Sequence, residues 1–124
     1  MSIPNTLPEI QKALSENSLN MVTLVNHYLN NIENNKDLNA FNHIYADAAI
    51  TKAEEVQKKI DGKSAGTLAG LVIGIKDNIA YKDHPLQASS KILSNFKSNY
   101  NAYVTERLLK EDAIIIGSLN CDEF

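Results

Sequence analysis

The sequence contains few of the residues that form disulfides and metal sites. Cys121 is the only cysteine among its 124 residues, so no internal disulfide can form and a reducing cytosol is the expected compartment. The histidines, His27, His43 and His84, are scattered along the chain without the spacing of metal ligands. We therefore expect no metal or cofactor on this chain, and we interpret Cys121 as a small buried side chain.

Long apolar runs and a positive net charge are also absent. No segment approaches the roughly 20 apolar residues that a membrane-spanning helix needs, and the N-terminus lacks the basic and apolar stretches of a signal peptide. The formal net charge of -3 gives no electrostatic reason to expect contact with a phosphate backbone. These absences predict a soluble, cytoplasmic protein that does not bind nucleic acid directly.

Hydrophobic residues are plentiful, at 44%, which favours a globular core over disorder. Their helical spacing predicts helices over residues 6–15, 21–32 and 46–60. Thr6 and Glu9 fit a capping box at the first of these helices, and Gly62 stands where a left-handed cap would end the third. With a short extended segment expected within residues 38–45, residues 1–62 are predicted to be mainly helical.

Helix and strand alternate over residues 63–124. Continuous apolar runs predict strands at residues 71–75 and 114–117, of the kind found when both faces of a sheet are covered. Between them we expect an irregular stretch at residues 77–87 and helices at residues 89–96 and 102–112. This order predicts an α/β fold with a parallel strand pair, in which Lys76 lies at the edge where open α/β sheets keep their chemistry.

Lys76 is the most informative residue, because it directly follows an apolar strand. An ammonium group inside or at the rim of the core is desolvated, which favours the neutral amine and allows it to act as a base. The alternative is that Lys76 only ends the strand and extends its head group to water. The residues alone leave both interpretations open.

The same region resembles the amidase signature family. The family pattern is Gly-x-Leu-x-Gly, an apolar strand and Lys-Asp-Asn, and the matching positions are Gly66, Leu68, Gly70, Lys76, Asp77 and Asn78. The likeness continues through a Ser-Lys-x-Leu block at residues 90–93 to an Asn-x-Asp-Glu-Phe block at residues 120–124. These two blocks are most similar to the family's amidotransferase A subunits, which hydrolyse glutamine for the amidation of Glu-tRNA(Gln).

The resemblance implies a fold and a catalytic residue. The fold would be N-terminal helices followed by the first strands and helices of a mixed, largely parallel sheet, incomplete in this chain because family members have several hundred residues. Catalysis in the family uses a serine nucleophile, a second serine in a cis peptide and a strand-end lysine as the base. Lys76 is then the one catalytic residue expected here, and both serines would follow residue 124.

The resemblance also implies partners. The chain would be the N-terminal part of a single amidase domain, inactive alone, whose complete form takes glutamine as its substrate. That subunit would join B and C subunits in a heterotrimer, with ATP, Mg and tRNA bound through a partner subunit. Two alternatives stay open: a non-catalytic interaction module that docks on a partner subunit, and a fragment of another amide hydrolase of the family.

Several other residues could be given functional interpretations. Asp77 and Asn78 are expected either to orient the loop after the strand or to act as turn residues. Ser89 and Ser90 could be nucleophiles, but no histidine is near them in sequence and both suit a helix N-terminus. Residues 70–76 resemble a phosphate loop superficially, yet the glycine spacing is one residue short and Asp77 stands where Ser or Thr is required.

Three positions depart from the family pattern. Thr67 and Val72 stand where prolines are usual, and Asp112 replaces a glycine. Val72 suits a strand better than proline does, whereas Thr67 should cost loop rigidity. Asp112 is expected to need a positive φ, which aspartate tolerates better than most residues. None of these changes removes the chemistry expected of Lys76.

Overall fold

The protein is described by a computed structural model that covers residues 2–124. It is an α/β structure, as predicted, and it has four α-helices and a three-stranded mixed sheet. The elements in chain order are α1 (Leu7–Ser15), α2 (Met21–Asn34), a 3-10 turn (Lys36–Leu38), β1 (Phe41–Ile44), α3 (Ala46–Asp61), β2 (Val72–Lys76), a second 3-10 turn (Lys91–Leu93), α4 (Tyr103–Lys110) and β3 (Ile114–Leu119).

The main core lies between the N-terminal helices and one face of the sheet. Apolar residues on one face of each of these helices are buried there: Ile10, Leu14, Met21, Leu24, Val25, Ala49, Ala53 and Val56. Ile114 and Ile116 of β3 join this cluster, whereas Ile115 points to the opposite face and packs with Tyr45 and Ile75. The central strand β3 is therefore covered on both faces, because its side chains alternate between two apolar clusters.

The sheet has the order β1-β3-β2. β2 runs parallel to β3, with Val72 opposite Ile114 and Lys76 opposite Leu119, which confirms the predicted parallel pair. β1 lies antiparallel to β3 on its other side. Gly117 permits that pairing, since a Cβ at this position would lie 2.4 Å from the carbonyl oxygen of His43.

The second strand is less buried than predicted. Only Ile75 is buried in β2, and Val72, Ile73 and Gly74 are half-buried. β2 lies at the edge of the sheet among the described residues, so its outer side has no neighbouring strand. The continuous apolar run indicated a strand correctly, but the sequence pattern could not show which strand occupies the edge.

The predicted helix at residues 89–96 is wrong, because only a single 3-10 turn forms there. Ala88 and Ser89 both have left-handed backbones, with φ of 50° and 53°, so an α-helix cannot begin at residue 89. Ser90 instead caps the short turn, its Oγ accepting a hydrogen bond from Ile92 N at 3.4 Å.

Two helix caps also differ from prediction. Thr6 Oγ1 donates a 2.8 Å hydrogen bond to Glu9 Oε2, so these side chains bond to each other and Thr6 does not cap a backbone amide. Gly62 follows α3 but has an ordinary φ of -84°, and the left-handed residue is Lys63, with φ of 57°. The helix extends to Asp61, which moves the chain reversal one residue beyond the expected glycine.

Candidate functional site

Lys76 is the last residue of β2 and lies at the carboxyl edge of the parallel strands, as predicted. The backbone around it is fixed, since Asp77 N donates a 3.0 Å hydrogen bond to Leu119 O and Ile79 N donates a 2.9 Å bond to Lys76 O. The side chain of Lys76 is exposed. Among the described residues this agrees with the interpretation in which Lys76 ends the strand and extends its head group to water, and not with a desolvated amine, because no described element covers this end of the edge strand.

Asp77, directly after Lys76, is buried, with 1% of its surface exposed. Its carboxylate accepts hydrogen bonds from Asn42 Nδ2 at 2.8 Å, from Gln87 N at 3.2 Å and from Ser89 N at 3.3 Å. The Asp77 carbonyl oxygen accepts a further bond from Ala88 N at 2.8 Å. Asp77 thus orients the loop after the strand, which was one of the two roles expected of it, and every one of these bonds helps to offset the cost of its burial.

Asn42, in the middle of β1, joins two elements of the site. Its Nδ2 donates to Asp77 Oδ2 at 2.8 Å and to Ser89 Oγ at 2.9 Å, which uses both hydrogens of the amide. Sequence reasoning did not identify Asn42, whose only signal was a polar residue inside a predicted extended segment. The pairing of β1 beside β3 brings Asn42 to this edge, and that pairing could not be inferred from the local pattern.

Ser89 has a hydroxyl whose bonding capacity is fully used. Its Oγ accepts from Asn42 Nδ2 at 2.9 Å and from Cys121 N at 3.1 Å, and it donates to Asn120 Oδ1 at 3.1 Å. A hydroxyl has one hydrogen and two acceptor positions, so all three are occupied. Ser89 is therefore a structural junction and lacks the adjacent free base that a nucleophilic serine needs.

Ser90 is fully buried and bonded to an acidic side chain. Its Oγ donates a 2.7 Å hydrogen bond to Glu123 Oε1 and accepts the bond from Ile92 N. A hydroxyl held in this way anchors the chain near its last residue. Neither serine contacts a histidine or a lysine through these bonds, so the nucleophile interpretation of Ser89 and Ser90 has no geometric support.

The remaining polar residues proposed from the sequence lie apart from one another. His43 Nε2 is 3.1 Å from Gln87 Oε1, whereas the His84 ring stacks on Tyr81 with a centroid distance of 3.8 Å. Burial raises the pKa of Tyr81 and of Tyr45, whose ring also lies near His84. Within residues 2–124 no three His, Cys, Asp or Glu side chains are grouped closely enough to hold a metal ion.

The lone cysteine is half-buried, so it is less enclosed than predicted. Its Sγ lies 3.4 Å from Ser89 Oγ. The short segment that carries it follows β3 directly and lies on the same edge of the sheet as Lys76. Cys121 therefore packs at the site through its backbone bond to Ser89, and not as a member of the apolar core.

Thr67, one of the three positions expected to depart from the family pattern, holds the loop before β2. Thr67 donates through both its N and its Oγ1 to Glu111 Oε2, at 3.1 and 2.9 Å. These bonds hold the pKa of Glu111 below its ordinary value. Asp112 has a φ of 67°, as expected, and Val72 begins β2 opposite Ile114.

A groove whose walls do not include Lys76 lies between α2 and the sheet. It has a volume of about 470 Å³ and is mostly apolar, and its walls come from α2, β1, β2 and the turn between α2 and β1. Its apolar lining includes Tyr28, Ile32, Leu38, Phe41, Ile44 and Val72. No candidate catalytic residue lines this groove, so strand-end geometry and not cavity size identifies the candidate site. Among residues 2–124, no helix has the length and apolar character required to span a membrane.

Comparison with protein families gives a match to the family described as Amidase over residues 23–124. The glutamyl-tRNA(Gln) amidotransferase A subunit of Chlorobium phaeobacteroides is 39% identical over 116 residues, which are 93% of this chain and 24% of that protein. The protein of the same name from Methanothermobacter thermautotrophicus is 48% identical over 99 residues, or 78% of this chain and 22% of that protein. The chain thus spans about a quarter of the length of these curated relatives.

Solved structures of amidases share the fold. Native peptide amidase from Stenotrophomonas maltophilia superposes with a TM-score of 0.89 at 26% identity, over 96% of this chain and 25% of that chain. An amidase family protein from Bacillus anthracis gives a TM-score of 0.86 at 24% identity, over 98% of this chain and 25% of that chain. The described helices and strands therefore form part of a larger amidase fold in these neighbours.

Proposed function

This chain belongs to the amidase family, and on that premise we propose that it is the N-terminal part of a glutaminase subunit. The complete subunit hydrolyses glutamine and supplies ammonia for the conversion of Glu-tRNA(Gln) to Gln-tRNA(Gln). The names of the relatives that align with more than nine-tenths of the chain support this choice. The Asn-x-Asp-Glu-Phe block at residues 120–124 supports it as well.

The single observation that carries the proposal is the position of Lys76 at the carboxyl end of β2, beside the hydrogen-bonded Asp77. In the proposed mechanism Lys76 is the base, which takes a proton from a serine in a cis peptide while that serine takes one from the nucleophilic serine. Both serines follow residue 124 in the complete subunit. Chain that covers the exposed side of Lys76 there would desolvate the amine and favour its neutral form.

The proposed identity as a glutaminase subunit also implies partner subunits. The complete subunit works with B and C subunits in the cytoplasm, and the partner subunit binds ATP, Mg and tRNA. The net charge of -3 on this chain supports tRNA binding elsewhere, because a basic surface would be needed for direct contact with phosphates.

Two other functions are favoured by particular observations. The similarity to peptide amidase supports an amide hydrolase with a different substrate. The exposed apolar groove supports a non-catalytic module that docks on a partner subunit. Reading the gene beyond residue 124 separates these classes: a downstream Gly/Ser-rich segment with two serines supports an enzyme, whereas a stop codon supports the module.

The decisive experiment replaces Lys76 with alanine in the complete subunit, assembled with its partners, and measures ammonia release from glutamine. General bases contribute roughly 10²- to 10⁴-fold to turnover, so a loss of at least that size is expected while assembly is retained. Lys58→Ala is the matched control, because Lys58 is an exposed lysine on α3 away from the candidate site. A loss of turnover of less than about tenfold for Lys76→Ala would contradict the assignment of Lys76 as the base.

A further inference from the structure

The turn at residues 88–90 holds the last residues of the chain in three places. The three hydrogen bonds are Cys121 N to Ser89 Oγ at 3.1 Å, Ser90 Oγ to Glu123 Oε1 at 2.7 Å and Phe124 N to Ala88 O at 3.0 Å. Backbone and side-chain groups both take part. Residues 121–124 form no helix or strand, so their direction depends on this turn.

The 88–90 turn has an unfavourable backbone that its surroundings maintain. Ala88 and Ser89 are consecutive left-handed residues with side chains, a conformation that occurs mainly when neighbouring groups fix it. Asp77 provides those groups. Its carboxylate accepts from Gln87 N and Ser89 N, and its carbonyl oxygen accepts from Ala88 N.

The same residue connects the turn to the candidate base. Asp77 follows Lys76 in the chain, and the bond from Asp77 N to Leu119 O joins the ends of β2 and β3. Lys76 and the 88–90 turn therefore share one rigid attachment, which is the buried Asp77. A segment that is bonded to the 88–90 turn is therefore held at a fixed distance from Lys76 at the end of β2.

We infer that the 88–90 turn positions the catalytic serines, by fixing the direction in which the chain continues beyond residue 124. Ser89 and Ser90 are positioning residues in this arrangement, since Ser89 Oγ bonds Asn120 and Cys121 and Ser90 Oγ bonds Glu123. Catalysis depends on such placement, because reacting groups must be held within a fraction of an ångström of productive geometry. This inference rests on the proposed function.

The test uses the complete subunit with four serine substitutions. Ser89→Ala and Ser90→Ala each remove one hydroxyl that holds residues 121–124. Ser89→Gly removes the same hydroxyl but suits the left-handed backbone, so it separates loss of the hydrogen bonds from backbone strain. Ser94→Ala is the control, since Ser94 is an exposed residue outside the 88–90 turn.

Two readouts are needed: steady-state kinetics, and hydrogen exchange of the peptide that covers residues 117–124. For Ser89→Ala, Ser89→Gly and Ser90→Ala we expect exchange to be faster by on the order of tenfold, as for the loss of one hydrogen bond. We expect kcat to fall roughly 10- to 100-fold with KM changed less than about threefold, because misplacement affects chemistry more than binding. Ser94→Ala should change neither.

Two results would overturn the inference. Unchanged exchange in the Ser89 and Ser90 variants would mean that the turn does not hold the segment. Faster exchange with unchanged kcat would mean that it holds the segment without positioning the serines. Retained activity in Lys76→Ala would instead contradict the proposed function, and the exchange result would still report on the turn because it does not depend on catalysis.

Discussion

Lys59 Nζ lies 2.8 Å from Oδ1 of Asp112, and this ion pair connects α3 to the start of β3. Lys52 Nζ is 3.4 Å from the same oxygen, and Gly66 N donates a 2.7 Å bond to Oδ2. Burial acts to raise the pKa of Asp112, but the Lys59 ammonium and the Gly66 amide outweigh it, so the pKa lies below its ordinary value of 3.8. Asp112 is therefore an anchor for the loop before β2.

Removing this carboxylate should destabilise the chain. We expect Asp112→Ala to lower the free energy of unfolding by about 1–3 kcal/mol, since it leaves the part-buried amide of Gly66 without its acceptor and removes the partner of the part-exposed Lys59 ammonium. Asp112→Gly should cost about 1 kcal/mol less, because glycine accepts the φ of 67° without penalty. Urea unfolding of the dilute chain, followed by circular dichroism, measures both. Equal stability of Asp112→Ala and the original chain would contradict this account.

The same group predicts a dependence of stability on pH. The pKa of Asp112 is lower in the folded chain than in the unfolded one, so its contribution is complete above the ordinary value of 3.8 and is lost as the pH falls through the folded-state pKa. Urea unfolding of Asp112→Asn at several pH values below 5 should show a weaker loss of stability on acidification than the original chain does. Parallel pH profiles for the two chains would contradict the prediction.

Gly117 should tolerate no side chain. A Cβ at this position would lie 2.4 Å from His43 O, so Gly117→Ala requires β1 to move away from β3. Backbone displacement of this kind costs several kcal/mol, on the order of 3, and should be visible in urea unfolding. Gly62→Ala is the matched control, because its nearest neighbour would be Lys58 O at 3.4 Å and its φ is -84°. A smaller effect for Gly117→Ala than for Gly62→Ala would show that β1 is free to shift.

The sequence predicted features that depend on residues close together in the chain better than features that depend on residues far apart in it. Apolar residues at helical spacing predicted α2 and α3, because one helix carries its whole pattern within a few turns. The parallel pair of β2 and β3 followed from two apolar runs with a helix between them. The antiparallel partner of β3 could not be predicted, since strand pairing depends on contacts between residues that are distant in sequence.

At the candidate site, too, the sequence predicted the local features and missed those that depend on distant residues. Lys76 was placed correctly at the end of its strand, but the sequence could not decide between a desolvated and an exposed amine, because burial depends on which elements cover that edge. The Asn42 bonds to Asp77 and Ser89 span 35 and 47 residues, and no local pattern marks them. The left-handed backbone of Ser89 excludes the helix predicted for residues 89–96. Local sequence signals for a helix are overridden where hydrogen bonds to distant residues fix the backbone.

The 124-residue chain by itself should release no ammonia from glutamine. Lys76 has no nucleophile to activate here, since the hydroxyls of Ser89 and Ser90 are engaged in other hydrogen bonds. A coupled assay for ammonia, with the complete subunit as the positive control, measures this directly. Steady release that persists in Lys76→Ala would contradict both the family mechanism and the role proposed for the lysine.

The isolated chain should also associate through its apolar groove. Leu38 and Ile44, which line the groove, are 69% and 42% exposed, and β2 pairs with a strand on one side only among the described residues. Unprotected strand edges beside apolar surface favour association between copies. We expect sedimentation that depends on concentration and binding of a dye that reports exposed apolar surface.

A charge placed in the groove should weaken that association. Leu38→Glu puts a carboxylate on the apolar wall, whereas Ile92→Glu, at a side chain that is 82% exposed, adds the same charge outside the groove. Sedimentation of Leu38→Glu should shift toward the monomer by at least roughly tenfold in dissociation constant, as expected when a charge opposes burial of an apolar contact. Ile92→Glu should leave the constant unchanged. A chain that stays monomeric at all concentrations would instead favour the interaction module over the enzyme fragment.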